Sequence, residues 1–181
     1  MTTLVDHFRA MARNSLWAND RLFEACTKLP DGAFTAERTG FFPSISATLN
    51  HNHAVDLYYR DALEGGGKGR TLYNDTPVMD DPAVSKDAQR RSDEALVGVC
   101  DRLSADDLDR FVPMDRCERG IIEERIDAVL AHLFQHQIHH RGQAHCMLSA
   151  TPVAPPQLDD FFLTLDREPH AMPLAAEVGL P

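Results

Sequence analysis

Basic residues are scarce in this chain. Its 181 residues include 18 Lys and Arg but 28 Asp and Glu, which gives a formal net charge of −10. Phosphate binding needs clustered basic side chains, and anionic membranes attract basic segments, so we expect neither nucleic acid nor a membrane as a partner. The sequence also has no run of about 18 apolar residues, the length that a helix needs to cross a bilayer.

Cysteines are few and widely separated. The four of them form no Cys-x-x-Cys pair and no framework of the kind found in small secreted domains: Cys26, Cys100, Cys117 and Cys146. The first residues lack the basic leader and apolar run of a signal peptide. We therefore expect a cytoplasmic protein with free thiols, because that compartment is reducing.

Apolar periodicity predicts four long helices. With 43% hydrophobic and 25% charged residues, the chain has the composition of an ordinary globular protein, and its length suits one domain. Apolar residues that recur every three or four positions, with capping residues and breaks between them, predict the following helices: Leu4–Leu29, a second from Ser44 or Ser46 to Leu63, a third from Asp80 or Asp81 to about Leu103, and Ile121–Ser149. These features favour an all-α four-helix bundle.

The remaining segments carry weaker signals. We expect a connection over residues 32–43 whose phenylalanines fold back onto the core, and a loop over residues 65–81. A brief extended segment is predicted within Phe111–Gly120 and a short last helix over Pro156–Leu165, with a loosely held end of the chain after that. These boundaries assign residues 1–165 to a single domain and residues 166–181 to a C-terminal tail.

The predicted fourth helix is rich in histidine. His132, His136 and His140 follow one another at steps of four, which places them within about 80° of one another on one helix face. An i, i+4 pair is how one helix offers two imidazoles to a single metal ion. Two imidazoles rarely complete a site, so a further ligand is expected from another part of the chain.

The second helix offers two candidates for that ligand. In a bundle, metal sites draw side chains from facing helices, so either His51 or His53 can join His136 and His140. The two are about 200° apart on a helix and cannot both point inward. Periodicity alone does not choose between them.

Three segments of the chain resemble the DinB/YfiT-like superfamily of metal-binding four-helix bundles. Residues 17–22, Trp-Ala-Asn-Asp-Arg-Leu, are similar to the Trp-Ala-Asn-x-Arg-Leu stretch of its first helix. Leu49-Asn50-His51, with Asp56 five residues after the histidine, resembles a patch of its second helix. Residues 135–143, Gln-His-Gln-Ile-His-His-Arg-Gly-Gln, are similar to its Asn-His-x-x-His-His-Arg-Gly-Gln signature, with Gln135 in the place of Asn.

This resemblance implies an up-down-down-up bundle and a specific ligand set. The metal triad of the superfamily corresponds to His51, His136 and His140, which leaves His53 on another face. His132, Asp56 and Arg141 are then candidates for a supporting role around the ligands, with His132 less suited to be a fourth ligand. Three imidazoles suit a divalent transition ion, zinc or nickel before others, and leave at least one coordination position open.

Function follows from the resemblance only in outline. It implies a metal-dependent enzyme that acts on a small-molecule substrate, either as a transferase activating a low-molecular-weight thiol as co-substrate or as a hydrolase activating water. The alternative is a non-catalytic stress-response protein in which the metal is structural. Helices of this kind often pair across subunits, so a homodimer is a further expectation.

Overall fold

Four long helices dominate the computed structural model, which describes residues 2–180. The long helices are α1 (Leu4–Cys26), α2 (Ile45–Leu63), α4 (Pro82–Arg102) and α5 (Ile126–Leu148). This part of the chain also contains three short 3₁₀ helices, two short α-helices and two strands, the latter four being α3 (Arg70–Asp75), β1 (Phe111–Asp115), β2 (Ile121–Arg125) and α6 (Met172–Glu177). The prediction of an all-α bundle is confirmed, with a small antiparallel hairpin in addition.

The helix starts follow the capping residues in the sequence. Thr3 and Asp6 form a capping box at the start of α1, in which each side chain bonds the other residue's backbone N–H. Ser44, rather than Ser46, caps α2 and accepts a hydrogen bond from the backbone N–H of Ala47. Asp81 caps α4 directly before Pro82, where the missing N–H of proline costs nothing.

Contacts between side chains give the direction of each long helix. α1 and α4 are antiparallel, because Arg13 bonds Asp101 at 2.8 Å near one end and Lys86 bonds Glu24 at 2.7 Å near the other. α5 is antiparallel to α2 and parallel to α1, as the following pairs show: Thr48 with Met147, Tyr59 with His132, Phe8 with Phe134, and Asn19 with Arg141. The order along the chain is therefore up, down, down, up, as the resemblance implies.

Two of the three apolar clusters of the core lie inside the bundle, with polar side chains between them. One cluster contains the first half of α1 and of α5, with residues such as Phe8 and Leu130. The other contains the end of α1 and of α5, with residues such as Phe23 and Leu148. The side chains between them are polar and buried, and we call them the polar layer: Asn19, His53, Asp56, Gln89, Asp93, Gln137 and Arg141.

The start of the last long helix was predicted wrongly. Residues 121–125, assigned above to the fourth helix, form β2 and pair with β1 in the register Met114 to Ile122. The error arose because Ile122 and Ile126 are four apart, a spacing that suits a helix but also fits a strand that ends in one. The Tyr58 hydroxyl donates to the Asp115 carbonyl at 2.6 Å, and this bond anchors the hairpin to α2.

Two other segments differ from the predictions. Residues 70–75, expected as loop, form α3, and the last helix lies at Met172–Glu177 instead of Pro156–Leu165. The segment that contains Ala171 and Ala175 is not loosely held, since both residues are fully buried in a cluster with Trp17 and Phe161. Small residues that bury against a tryptophan over so short a segment leave no periodic pattern to detect. No helix among residues 2–180 has the length and apolar character needed to cross a membrane.

Truncation of Leu130 should separate core packing from helix propensity in α5. Leu130 is fully buried, whereas Ile138 on the same helix is 48% exposed. Leu130→Ala should lower the free energy of unfolding by about 2–5 kcal/mol, because it leaves a cavity. The matched variant Ile138→Ala should change it by less than about 0.5 kcal/mol. Urea denaturation measures both, and equal losses would contradict this description of the core.

Candidate metal centre

α2 and α5 bring three histidines together. His51, His136 and His140 each offer a ligand atom, and these atoms all lie within 4.8 Å of one another. The Nε2 atoms of His51 and His136 are 3.1 Å apart. The ring centroids of His136 and His140 are 4.3 Å apart, and those of His51 and His140 are 4.7 Å apart. His53 points elsewhere, with its Nδ1 3.1 Å from Gln89 Oε1 in the polar layer.

The histidines are in their neutral form at pH 7. Burial, together with the neighbouring His140, lowers the pKa of His51 to about 4. Burial and the surrounding histidines lower the pKa of His136 to about 3. Burial also lowers the pKa of His140, although its contact with Gln143 acts in the opposite direction. Metal binding needs unprotonated imidazoles, so these ligands require no prior loss of a proton.

The donor set fits a divalent transition ion. Two nitrogen ligands on a tetrahedral zinc ion are about 3.3 Å apart, since each Zn–N bond is about 2.0–2.1 Å long. The 3.1 Å between the Nε2 atoms of His51 and His136 is close to that value. The same distance suits a hydrogen bond between the two rings, which a bound ion would replace.

Neighbouring side chains orient two of the rings. The Oε1 of Gln143 is 2.8 Å from His140 Nδ1, and because an amide oxygen only accepts hydrogen bonds, that nitrogen carries the proton. The amide nitrogen of the same residue is 3.1 Å from His139 Nε2. The Tyr73 hydroxyl lies 3.3 Å from His51 Nδ1. These contacts are made at Nδ1 of both rings and leave Nε2 for a metal ion, as is usual for histidine ligands.

The cluster forms one wall of a partly open cavity. On one side, the Phe42 ring covers the histidines, with its centroid 4.5 Å from that of His51 and 5.5 Å from that of His140. On the other side is a cavity of about 320 Å³ whose lining comes from α2, α3, α5 and the hairpin: His51, Val55, Tyr58, Tyr59, Arg70, Tyr73, Asp115, Arg116, Cys117, His132 and His136. A small molecule can therefore approach the histidines from this side.

The three candidates for a supporting role have different positions. His132 lines the cavity, with its ring 6.1 Å from that of His136 and 5.2 Å from that of Tyr59. Asp56 and Arg141 lie inside the bundle, where their described hydrogen bonds are to members of the polar layer. Their influence on the ligands therefore passes through the orientation of α2 and α5. A supporting role for them stays a prediction.

The polar layer connects all four long helices. Asn19 accepts a hydrogen bond from Arg141 at 3.1 Å and donates to both carboxylate oxygens of Asp93 at 3.2 and 3.0 Å. The amide nitrogen of Gln89 donates to Asp56 at 2.8 Å and to Asp93 at 2.9 Å. The resemblance in the first helix thus has a physical basis, since its asparagine bridges a buried guanidinium and a buried carboxylate.

Burial changes the charge state of this layer. It raises the pKa of Asp56 to about 8, with the nearby Asp93 carboxylate adding to the rise. It raises the pKa of Asp93 to about 6, against hydrogen bonds from Asn19 and Gln89 that lower it. Burial lowers the pKa of Arg141 to about 10, so this side chain keeps its charge at pH 7. At that pH the layer holds one cation, one anion and a neutral Asp56.

Tyr73 and Phe42 are site residues that the sequence analysis missed. Tyr73 belongs to a six-residue helix, which is too short to show periodicity. Phe42 was expected on the core together with Phe34 and Phe41. Phe34 is buried as expected, but Phe41 is 81% exposed and Phe42 covers the histidines. The aromatic run next to Pro43, shortly before a histidine-bearing helix, was the only signal available.

Comparison with known proteins decides the family. The sequence model of the DinB family matches residues 1–170. The chain belongs to the DinB family. This DinB-family chain is 24% identical over 143 residues to "Protein DinB" of Bacillus subtilis (strain 168), which covers 74% of this chain and 80% of that protein.

The fold is also similar to a solved structure. The crystal structure of a DinB-like protein from Bacillus subtilis matches with a TM-score of 0.54 at 14% sequence identity. The match covers 85% of this DinB-family chain and 99% of the other. At this identity the likeness shows the shared fold alone.

Asp56→Asn should change how stability depends on pH. The pKa of Asp56 is raised from 3.8 to about 8 in the folded protein, so between these values the folded state holds a proton that the unfolded state has lost. This makes the wild-type protein less stable as pH rises, an effect that Asn lacks. The variant should gain about 1 kcal/mol per pH unit relative to wild type across this range.

Urea denaturation of metal-free protein at several pH values measures this difference. The histidine contributions are present in both proteins and cancel in the comparison. Parallel stability profiles for the two proteins would contradict a protonated Asp56 in the polar layer.

Proposed function

We propose that this DinB-family chain is a metal-dependent enzyme whose divalent ion, zinc or nickel, is held by His51, His136 and His140. The observation that supports this most strongly is the convergence of three neutral imidazoles, two of which, His51 and His136, line a partly open cavity. When bound, such an ion supplies a Lewis-acid centre that favours the ionised form of a thiol or of water at its open position.

The number of protein ligands favours catalysis over a purely structural ion. Structural zinc sites are closed by four protein ligands, whereas catalytic sites use three and keep one position for water or substrate. Within residues 2–180, the only group of His, Cys, Asp or Glu side chains close enough to hold an ion consists of His51, His136 and His140. Because His51 and His136 line the cavity, a substrate in it could reach an ion held by these residues.

The surrounding residues hold the site ready for chemistry. Tyr73 and Gln143 fix the orientation of the rings of His51 and His140 through their Nδ1 atoms. Phe42 covers the rings from one side and keeps water away from them there. The first candidate is a thiol transferase that uses a low-molecular-weight thiol as co-substrate. The second is a hydrolase that uses the same metal site to activate water.

A structural metal is the alternative function. The ligands come from two helices and are separated by 85 residues between His51 and His136. An ion at this point would therefore link α2 to α5 and stabilise the bundle even without turnover. This alternative uses the same three ligands but involves no substrate that is converted in the cavity.

Loss of one ligand should abolish stoichiometric metal binding. Purified wild-type protein should contain about one divalent ion per chain, and His136→Ala should weaken binding at least about tenfold, because two imidazoles hold an ion poorly. The exposed His7 lies on α1, away from the cluster, so His7→Ala serves as the matched control. Elemental analysis after dialysis provides the measurement. A wild type that stays metal-free after reconstitution would rule out both the enzyme and the structural alternative.

Activity assays separate the remaining possibilities. The metal-loaded protein should conjugate a low-molecular-weight thiol to a reactive electrophile, or hydrolyse an ester or amide, and His140→Ala should remove this turnover. Conjugation supports the transferase, and hydrolysis without conjugation supports the hydrolase. No turnover across either panel, together with a metal-dependent rise in melting temperature, would instead favour the structural ion.

A further inference from the structure

Two arginines give the cavity beside the histidines a positive charge. Arg70, at the start of α3, and Arg116, directly after β1, line the same 320 Å³ as His51 and His136. Asp115 is the one carboxylate among the lining residues. With neutral histidines, two guanidiniums and one carboxylate give this lining a net charge of +1, whereas the whole chain carries −10.

Tyr73 of α3 lies between His51 and one of the arginines, Arg70. The Tyr73 hydroxyl lies 3.3 Å from His51 Nδ1, and the Arg70 Cζ lies 5.1 Å from the centroid of the Tyr73 ring. This cation–π contact positions the guanidinium but uses none of its five N–H donors. Among residues 2–180 we find no hydrogen-bond acceptor or carboxylate paired with the Arg70 side chain. Its donors are therefore free for a ligand.

Tyr59 of α2 lies between His132 and the second arginine, Arg116. The Tyr59 ring lies 5.2 Å from that of His132, and Arg116 Nη1 donates to the Tyr59 hydroxyl at 3.2 Å. Arg116 Nη2 also contacts Glu124, at the longer distance of 3.4 Å. Its side chain remains 31% exposed, and the two contacts leave further N–H donors unused. Each arginine thus contacts a tyrosine that also lines the cavity.

We propose that Arg70 and Arg116 recognise a carboxylate on the small molecule that enters this cavity, a refinement that rests on the proposed function. A guanidinium matches a carboxylate through two parallel N–H···O bonds, which gives direction as well as affinity. Tyr59 and Tyr73 offer apolar faces to the carbon skeleton between that carboxylate and the reacting group. The positive charge of this lining attracts anions locally, against the net negative charge of the whole chain. A volume of about 320 Å³ restricts the ligand to a small molecule.

Titration of metal-free protein tests recognition without depending on the metal. The probes are succinate and its uncharged counterpart succinamide, followed by NMR chemical shifts of the protein. Wild type should bind succinate and show no saturable binding of succinamide. Arg70→Gln/Arg116→Gln should weaken succinate binding about tenfold, as expected for the loss of charge-assisted hydrogen bonds worth about 1.5 kcal/mol or more.

Two further variants make the result specific. Arg110→Gln is the matched control, because Arg110 is an exposed arginine outside the cavity that pairs with Asp107. It should leave succinate binding unchanged. Arg116→Lys keeps the charge and should retain more affinity than Arg116→Gln, which guards against a loss caused by misfolding of the hairpin. Undiminished succinate binding in the double glutamine variant, or none in the wild type, would overturn the proposal.

A cobalt-loaded sample places the carboxylate relative to the histidines. 3-Mercaptopropionate and 3-mercaptopropionamide differ only in that group, and thiolate binding at cobalt is visible by absorption. In wild type, the acid should bind about tenfold more tightly than the amide. In the double glutamine variant, the acid and the amide should bind with equal affinity. Equal binding in wild type overturns the anion proposal while the metal function stands. If the protein fails to load cobalt but still binds succinate, the result counts against the proposed metal function and supports carboxylate recognition by the two arginines.

Discussion

The buried guanidinium of Arg141 is the constraint on which the rest of the bundle depends. A charge inside an apolar core is tolerated only when paired and hydrogen-bonded, and loss of one partner from such a pair costs about 3–5 kcal/mol. Here the pairing runs through Asn19 to Asp93, and Gln89 donates to the neutral carboxyl group of Asp56. Since these residues come from all four long helices, only one mutual register satisfies them, a selectivity that the apolar clusters above and below lack.

That register also places the histidines. Successive residues on a helix are 100° apart, so when Arg141 points into the bundle, His140 points toward α2. On α2, Asp56 and His53 face the polar layer, which leaves His51 on the side that meets α5. The polar layer and the histidine cluster therefore lie at one level of the bundle and share helices. The apolar core alone would permit a shift of α5, but the buried charges tie its position to that of the candidate ligands.

The cavity beside the cluster is built from a different kind of structure. Its far wall comes from α3 and the hairpin, short elements joined to the bundle by contacts such as the bond from Tyr58 to Asp115. Such segments tolerate change more readily than a packed helix core. The bundle thus supplies the histidines, whereas α3, the end of β1 and the turn after it supply Arg70, Tyr73 and Arg116.

The sequence by itself determined the histidine spacing and the four long helices, apart from the start of the last one, and it narrowed the caps of α2 and α4 to two residues each, because these features depend on local periodicity and capping. The resemblance selected His51 over His53, which spacing could not do. Only the tertiary structure showed the second strand of the hairpin at residues 121–125, the packing of Ala171 and Ala175 on Trp17, and the positions of Phe42 and Tyr73. Those features arise from contacts between residues far apart in the chain, so no local pattern records them. The lowered pKa values of His51 and His136 also follow only from the tertiary structure, because burial causes them and burial exists only in the folded protein.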